Sequence, residues 1–427
     1  MAQQTTTRGV DTYVAIAPQT DLYTPVDPSE LEVGDYLPFD SEGLAGGRNI
    51  VSSPTIRKQA MKSSANSANG TQRAGGSLEL TASQFVLDKV LLLSTHLTLG
   101  ANGEPDLATV EDRATASEKT LKIARKRYRL IPGGRLVPFT TFVGLAGAGG
   151  YTRRFKGCKV NSLSISARVD EFIKLSLDIQ GLSKKIVDGT TTPIYPAQEL
   201  EYSYFFIGAS AKIKAGNMQT LGELPVSSFE LTINHQLNVE DYILGSDERN
   251  SLDETMTEVT GSFEMRAGAS SRSGAKLNLA SQVAGNDRAF LERLNEQARY
   301  AALEIACADR TQTIGLGVTV TGTTASVLKL DQAFVDVKPG DLIDVAGTQV
   351  RVASVDAAAK TITLTEPLGQ APTDGTLISG FSMLRITLPA VRLEEPQFSI
   401  SGPDALQGST SFEAYNDLVI EHTCKLG

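Results

Sequence analysis

The chain has 427 residues, enough for two or three domains of ordinary size. Apolar residues at 41%, aromatics at only 6%, no Trp and 38 glycines favour strands and turns over helical bundles. Forty Lys and Arg against 49 Asp and Glu leave a net charge of -9, which argues against a general polyanion-binding surface.

Cys158, Cys307 and Cys424 lie far apart, are odd in number and include no CxxC, so neither a disulfide framework nor a zinc site is expected. The opening MAQQTTTRGVDTY lacks the basic and apolar regions of a signal peptide. The most apolar run, FVLDKVLLLSTHL, is short and interrupted by Asp88 and Lys89, so no membrane span is expected. Synthesis in a reducing compartment fits this cysteine usage.

Taken in chain order, the elements read as two halves. In the first, TYVAIAP is followed by an extended stretch around NIVSSPTI, a polar loop and the strand GGSLEL. An apolar helix follows, with Phe85, Val86, Val90, Leu91 and Leu97 at helical spacing. Strands come next at KRYRLI, RLVPFTTFVGL, FKGCKVNSLSISA and IKLSLDIQG. The second half repeats the order: YSYFFIGASAKI, VSSFELTINHQL, a polar loop, VTGSFEMRA, then a helix begun at Asn286 or Asp287 with Phe290, Leu291, Leu294 and Ala298 on one face. Strands return at AALEIACA, MLRITL, VRLEEPQFSIS and STSFEAYND.

The second half is too long until 313–380 is removed. That segment carries short alternating strands separated by Pro339-Gly340, Ala346-Gly347 and Asp356 to Lys360 and followed by an Asp374-Gly375 turn, the pattern of a small inserted β-barrel. With it excised, 306–309 and 383–388 become neighbouring strands. The reading is therefore a mainly β fold of two tandem sandwich or barrel modules, each with one helix. They span 1–185 and 186–312 with 381–427, and 313–380 is the inserted barrel.

Catalytic chemistry is not legible. Gly144, Gly147, Gly149 and Gly150 sit between strands and lack the helix N-terminus that phosphate cradling needs, and 268–276 has the wrong spacing for a Walker A loop. His96, His235 and His422 have no partner at metal spacing and read as packed or surface histidines. Glu394 and Glu395 are adjacent on a strand and point to opposite faces, so they cannot converge on one bond. Arg125, Lys126, Arg127 and Arg129 around Tyr128 form a basic patch that reads as a solvated or subunit-facing strand rather than a nucleic-acid site. No cofactor, metal or catalytic residue is expected.

At FKGCKVNSLSISARVDEFIKLSLDIQG the sequence resembles the major tail tube proteins of long-tailed bacteriophages, in which a Phe-x-Gly-Cys step opens a strand pair closed by a short turn. FELTINHQLNVEDYILGSDERNSLDETMTEVTGSFEM is similar to that family's long strand, protruding loop and returning strand. A third similarity lies in LRITLPAVRLEEPQFSISGPDALQGSTSFEAYND. The resemblance implies a siphovirus virion protein made in the bacterial host cytoplasm. It would build rings whose inner strands join their neighbours' around a DNA channel, the rings stacking into a tube for DNA ejection. Its implied partners are further copies of itself, a tape measure protein inside the tube, tail terminator and distal tail proteins, and viral DNA that passes without specific binding. With two modules per chain, a ring of six modules would be a homotrimer, a pseudohexamer. A baseplate or distal tail ring protein of the same fold and a surface adhesin-like β protein are the alternative readings.

A charge contrast marks candidate arms in equivalent loops. The first-half loop carries Arg57, Lys58, Lys62 and Arg73 without an acid, whereas its second-half counterpart carries Glu240, Asp241, Asp247, Glu248, Asp253 and Glu254 against Arg249. In a ring of alternating halves, these arms are expected to set neighbour order and stacking register, mainly by penalising like-charged neighbours.

Overall fold

The computed structural model describes the backbone of residues 12–52, 67–95, 108–114, 120–130, 134–145, 151–187, 211–217, 220–224, 226–266, 300–331, 337–394, 397–399, 407–416 and 418–425. The protein is mainly β, with one α-helix among these residues. The first-half strands are β1 (Thr12–Pro18), β2 (Tyr36–Leu37), β3 (Ser41–Glu42), β4 (Ala45–Ser52) and β5 (Ser67–Thr81). After helix α1 (Gln84–Ser94) come β6 (Ala108–Ala114), β7 (Thr120–Leu130), β8 (Phe139–Leu145), β9 (Thr152–Arg168), β10 (Lys174–Gly181) and β11 (Ser183–Val187). The second half supplies β12 (Ala211–Asn217), β13 (Thr220–Leu224), β14 (Val226–Asn234), β15 (Glu258–Arg266) and β16 (Ala301–Val318). Then follow β17 (Val327–Lys329), β18 (Leu342–Val345), β19 (Thr348–Asp356), β20 (Thr361–Leu364), β21 (Leu377–Leu393), β22 (Gln397–Ser399), β23 (Gln407–Tyr415) and β24 (Leu418–Lys425).

Strict alternation makes the long strands two-faced. In β10, Leu175, Leu177 and Ile179 are buried while Lys174 and Ser176 are exposed, the signature of a sheet with one wet face. β9 bends at Gly157, whose φ of +58° suits glycine; a Cβ there would meet the Leu22 carbonyl oxygen at 2.4 Å. The bend lets β9 serve two sheets. One runs β4–β5–β10–β9, and the other β2–β1–β8–β9–β11.

The second half repeats this scheme. β14–β15–β23 continues to β22 and the end of β21, and β13–β12–β16–β21–β24 forms the other sheet. Residues 306–309 of β16 do lie opposite 382–385 of β21. The halves join where β14 pairs with β9, from Ser228↔Arg168 to Asn234↔Ser162. One sheet therefore runs unbroken through β4, β5, β10, β9, β14, β15, β23 and β22. They join a second time where β24 lies along β7, with Tyr128 opposite Ile420. The basic patch of β7 thus runs along a strand of the chain's own second half, and Tyr128 is buried.

Helix α1 is capped by Ser83, whose hydroxyl accepts the Val86 N–H, and it buries Val86, Leu87, Val90, Leu91 and Leu93. It also fastens the two halves together. The Gln84 amide donates to Ser382 at 2.9 Å, Asp88 lies 2.7 Å from His422 Nδ1 and accepts the Tyr128 hydroxyl, and the Ser94 carbonyl meets His235 Nε2 at 2.9 Å. Both histidines are fully buried; His96 lies outside the described residues, as do Leu97 and the expected second helix at 286–298.

The segment between β16 and β21 has a core of its own: Leu316, Leu328, Leu330, Ile343, Val345, Val352, Ile362, Leu364 and Ile378 cluster apart from the main core. β16 and β21 continue outward as a two-stranded stalk, with Thr313 opposite Phe381 and Val318 opposite Leu377. At its foot, Arg385 of β21 donates to Asp341 at 2.8 Å, both side chains buried, which fixes the small core against the larger one.

Candidate assembly interface

The wet face of the continuous sheet is rich in Ser, Thr and acids. Ser164 and Thr232 touch hydroxyl to hydroxyl at 2.8 Å across the β9–β14 junction. Glu79, Asp178, Glu230, Glu264 and Glu413 outnumber Arg168 and Lys174. Over the second half this face forms a groove of about 780 Å³ edged by Glu230, Arg392, Glu394 and Glu413. Among the described residues, no group of three or more His, Cys, Asp or Glu could hold a metal ion, and no helix is long and apolar enough to cross a membrane. Of the glycine cluster, Gly144 lies in β8 opposite Tyr13 of β1 and Thr152 of β9, and the other three lie outside the described residues.

The outer edge of β3–β4 is guarded by side chains. Gly43 turns its N–H inward to the Ser77 carbonyl at 2.8 Å, so the alternating groups of Leu44 and Gly46 face outward. Arg153 Nη1 donates to the Leu44 carbonyl at 2.9 Å and Lys184 Nζ to the Gly46 carbonyl at 2.9 Å, while Glu42 accepts the Leu44 N–H at 3.1 Å and also pairs with Arg153. Side-chain capping of this kind keeps an exposed edge from pairing indiscriminately. The corresponding strand of the second half, β14, has its edge filled by β9.

The acidic loop between β14 and β15 folds onto the first half of the same chain. Asp247 pairs with Arg48 at 2.5 Å, Glu248 with Lys156 at 2.6 Å, Glu254 with Lys159 at 2.9 Å, and Glu240 reaches Arg73 at 3.5 Å. Asp241 accepts from Asn250 and Ser251, and Asp253 from Ser251, so these two brace the loop itself. Where β10 turns away at Gly181, the loop takes over the backbone of β5: Gln72 N–H goes to the Asp247 carbonyl and the Gln72 carbonyl accepts the Tyr242 hydroxyl. Arg249 is buried there and donates to the carbonyls of Ala74 and Gly181. Arg57, Lys58 and Lys62 lie outside the described residues. Arg48, Lys156 and Lys159 were not singled out by the sequence reading, because nothing local distinguishes a strand lysine that meets a remote carboxylate.

Burial works against the charges of Glu248 and Glu254. Hydrogen bonds from Lys156 and Lys159 and the attraction of those ammonium groups outweigh it, so both carboxyls titrate below their usual range. Bonds from Ser251 and Asn250 lower Asp241 likewise.

A continuous two-faced sheet, a guarded open edge and an ion-paired clasp are features of a building block rather than of a reaction centre. A family model described as phage tail tube protein matches residues 9–414. The chain belongs to the phage tail tube protein family. A search of the curated proteins finds no match. Membership makes it a structural component of the virion tail that assembles with copies of itself into a tube. The family is a structural one, in keeping with a surface that offers strand edges and paired loops.

Proposed function

We propose that three copies of this tail tube protein close into a pseudohexameric ring, and that stacked rings form the siphovirus conduit through which DNA is ejected. The observation that carries this reading is the repeated pairing scheme. β14 receives β9 inside the chain, and the matching edge of β3–β4 meets only side chains among the described residues. A neighbour's β22 end, the last strand at the other side of the continuous sheet, is the natural partner for that edge. Two modules per chain, read as a duplication spanning 1–185 and 186–312 with 381–427, then give six modules from three chains. Head-to-tail contacts of this kind close into a ring, and a similar contact along the axis makes a filament. The hydroxyl-rich part of this face around Ser164 and Thr232, with Asp178, Glu230 and Glu264, suits the lumen, because a polyanion slides past carboxylates without being gripped.

In this reading the tape measure protein occupies the lumen before ejection, and the tail terminator and distal tail proteins cap the ends. The 313–380 barrel decorates the outside. Negative-stain images and native mass measurement of isolated rings test the proposal. Three chains per ring and tubes on further incubation are expected. Six chains per ring would overturn the trimer, and single rings that never stack would move the protein to a distal tail ring.

A further inference from the structure

The clasp formed inside the chain has a matching, oppositely charged seat on the second half. Two glycines fix the correspondence. A Cβ on Gly76 would come within 2.3 Å of the Gly43 carbonyl oxygen, and one on Gly261 within 2.4 Å of the Glu230 carbonyl oxygen, so 76 matches 261 and 43 matches 230. The strand registers agree: Ala74 faces Gly181 as Val259 faces Ala414, and Gln180 faces Lys159 as Glu413 faces Arg392.

Apart from its pairs with Arg48 and Lys156, the acidic loop is received in the first half at four places: by Arg73, by Gln180, which accepts from Arg249, by Asn161, which accepts the Leu237 N–H, and by Lys159. Carried across the register, these places hold Glu258, Glu413, Glu394 and Arg392. Three receivers that are cationic or neutral in the first half are carboxylates in the second. The segment between β4 and β5, residues 53–66, lies outside the described residues; it contains Arg57, Lys58 and Lys62 and no acid. Arg392 keeps the charge of Lys159, so the exchange of sign is confined to these three places and to the segment that would meet them. Ile50 and Val51, at the base of that loop on β4, are 71% and 61% exposed, an apolar pair left uncovered by the chain itself.

We infer that the seat of Glu258, Glu394 and Glu413 receives the basic 53–66 loop of the neighbouring copy in the ring. The intramolecular clasp is thereby repeated between chains with its charges exchanged. The inference rests on the ring reading above. It gives the acidic loop and the 53–66 segment a lateral role; Arg73, expected in the basic arm, lies on β5 and meets Glu240 of the acidic loop within the chain. The exchange of sign also forbids the wrong pairing, since an acidic loop on the acidic seat, or a basic loop on the basic one, meets like charges.

The test uses tubes assembled from an equal mixture of ordinary and 15N-labelled full-length chains, treated with a carbodiimide and mapped by mass spectrometry. Links from Lys58 or Lys62 to Glu258, Glu394 or Glu413 are expected, half of them between chains of different isotope. Tubes that give no such link, or give it only within one chain, overturn the inference and leave the ring reading standing. Absence of any ring overturns both. As a second arm, Glu394→Lys with Glu413→Lys should lower the tube yield at least tenfold while the unassembled chain keeps its β-rich circular dichroism. Adding Arg57→Glu, Lys58→Glu and Lys62→Glu in the same chain should restore it in part. Should the Lys pair misfold, Glu394→Gln with Glu413→Gln must still slow assembly measurably; unaltered kinetics there would sink the idea.

Discussion

Replacing Lys159 with Met tests whether the acidic loop is clamped electrostatically. The Lys159 side chain is 9% exposed, and its ammonium donates to the Leu252 carbonyl at 2.8 Å and to Glu254 at 2.9 Å. Glu254, 14% exposed, also accepts the Leu136 N–H at 3.0 Å. Removing one partner of a buried pair leaves an uncompensated charge and costs about 3–5 kcal/mol; residual exposure on both sides places this pair near the lower end, about 3 kcal/mol. If the loop opens locally, that difference speeds exchange of the Leu136 amide by about a hundredfold, at 1.4 kcal/mol per decade. Hydrogen–deuterium exchange of peptides covering Leu136 and 235–257 reads it directly. The double variant Lys159→Met with Glu254→Gln should recover most of the protection because no bare charge remains. The pH dependence follows the same pair. The carboxyls of Glu248 and Glu254 are depressed in the folded chain. Their contribution is therefore complete above the ordinary carboxylate value of about 4.3 and lost as pH falls through the lowered values. Less than threefold faster exchange in Lys159→Met, or a double variant as damaged as the single one, would refute the reasoning.

Three further outcomes are expected. Gly261→Ala sets a Cβ 2.4 Å from both the Glu230 carbonyl oxygen and the Phe412 ring, so it should destabilise the chain by about 3 kcal/mol or more, visible as a lower thermal midpoint. Replacing 319–376 by a short Gly-Ser turn removes Asp341 from buried Arg385 and Lys338 from Glu304 and Glu421, so that Arg385 faces two carboxylates; the deletion alone should lower solubility, and adding Glu421→Gln should restore it with tube formation intact. Burial pushes the thiols of Cys158 and Cys307 up to about 12, so peptide mapping after iodoacetamide at pH 8 should find neither alkylated until the protein is unfolded.

Much of the backbone plan was legible because alternation and turn chemistry are local. IKLSLDIQG announces β10, FVLDKVLLLS announces α1, and the Thr313 to Phe381 closure of the stalk lies where the inserted pattern begins and ends. The charge that 53–66 and 235–257 each bring was legible from composition alone. β24 was missed, since LVIEHTCK is short and its partner β7 lies some three hundred residues upstream. The site was less legible than the strands. Only tertiary structure decided that the acidic loop meets Arg48, Lys156 and Lys159, and that Arg153 and Lys184 guard the edge of β3–β4. It also decided that Gly76 and Gly261 each lie hard against a carbonyl of the adjoining strand, those of Gly43 and Glu230. Ion pairs and close backbone approaches join residues with no periodic relation along the chain. A sequence therefore fixes the charge that each segment brings, while the partner that charge meets is set by sheet register and by the bend of β9.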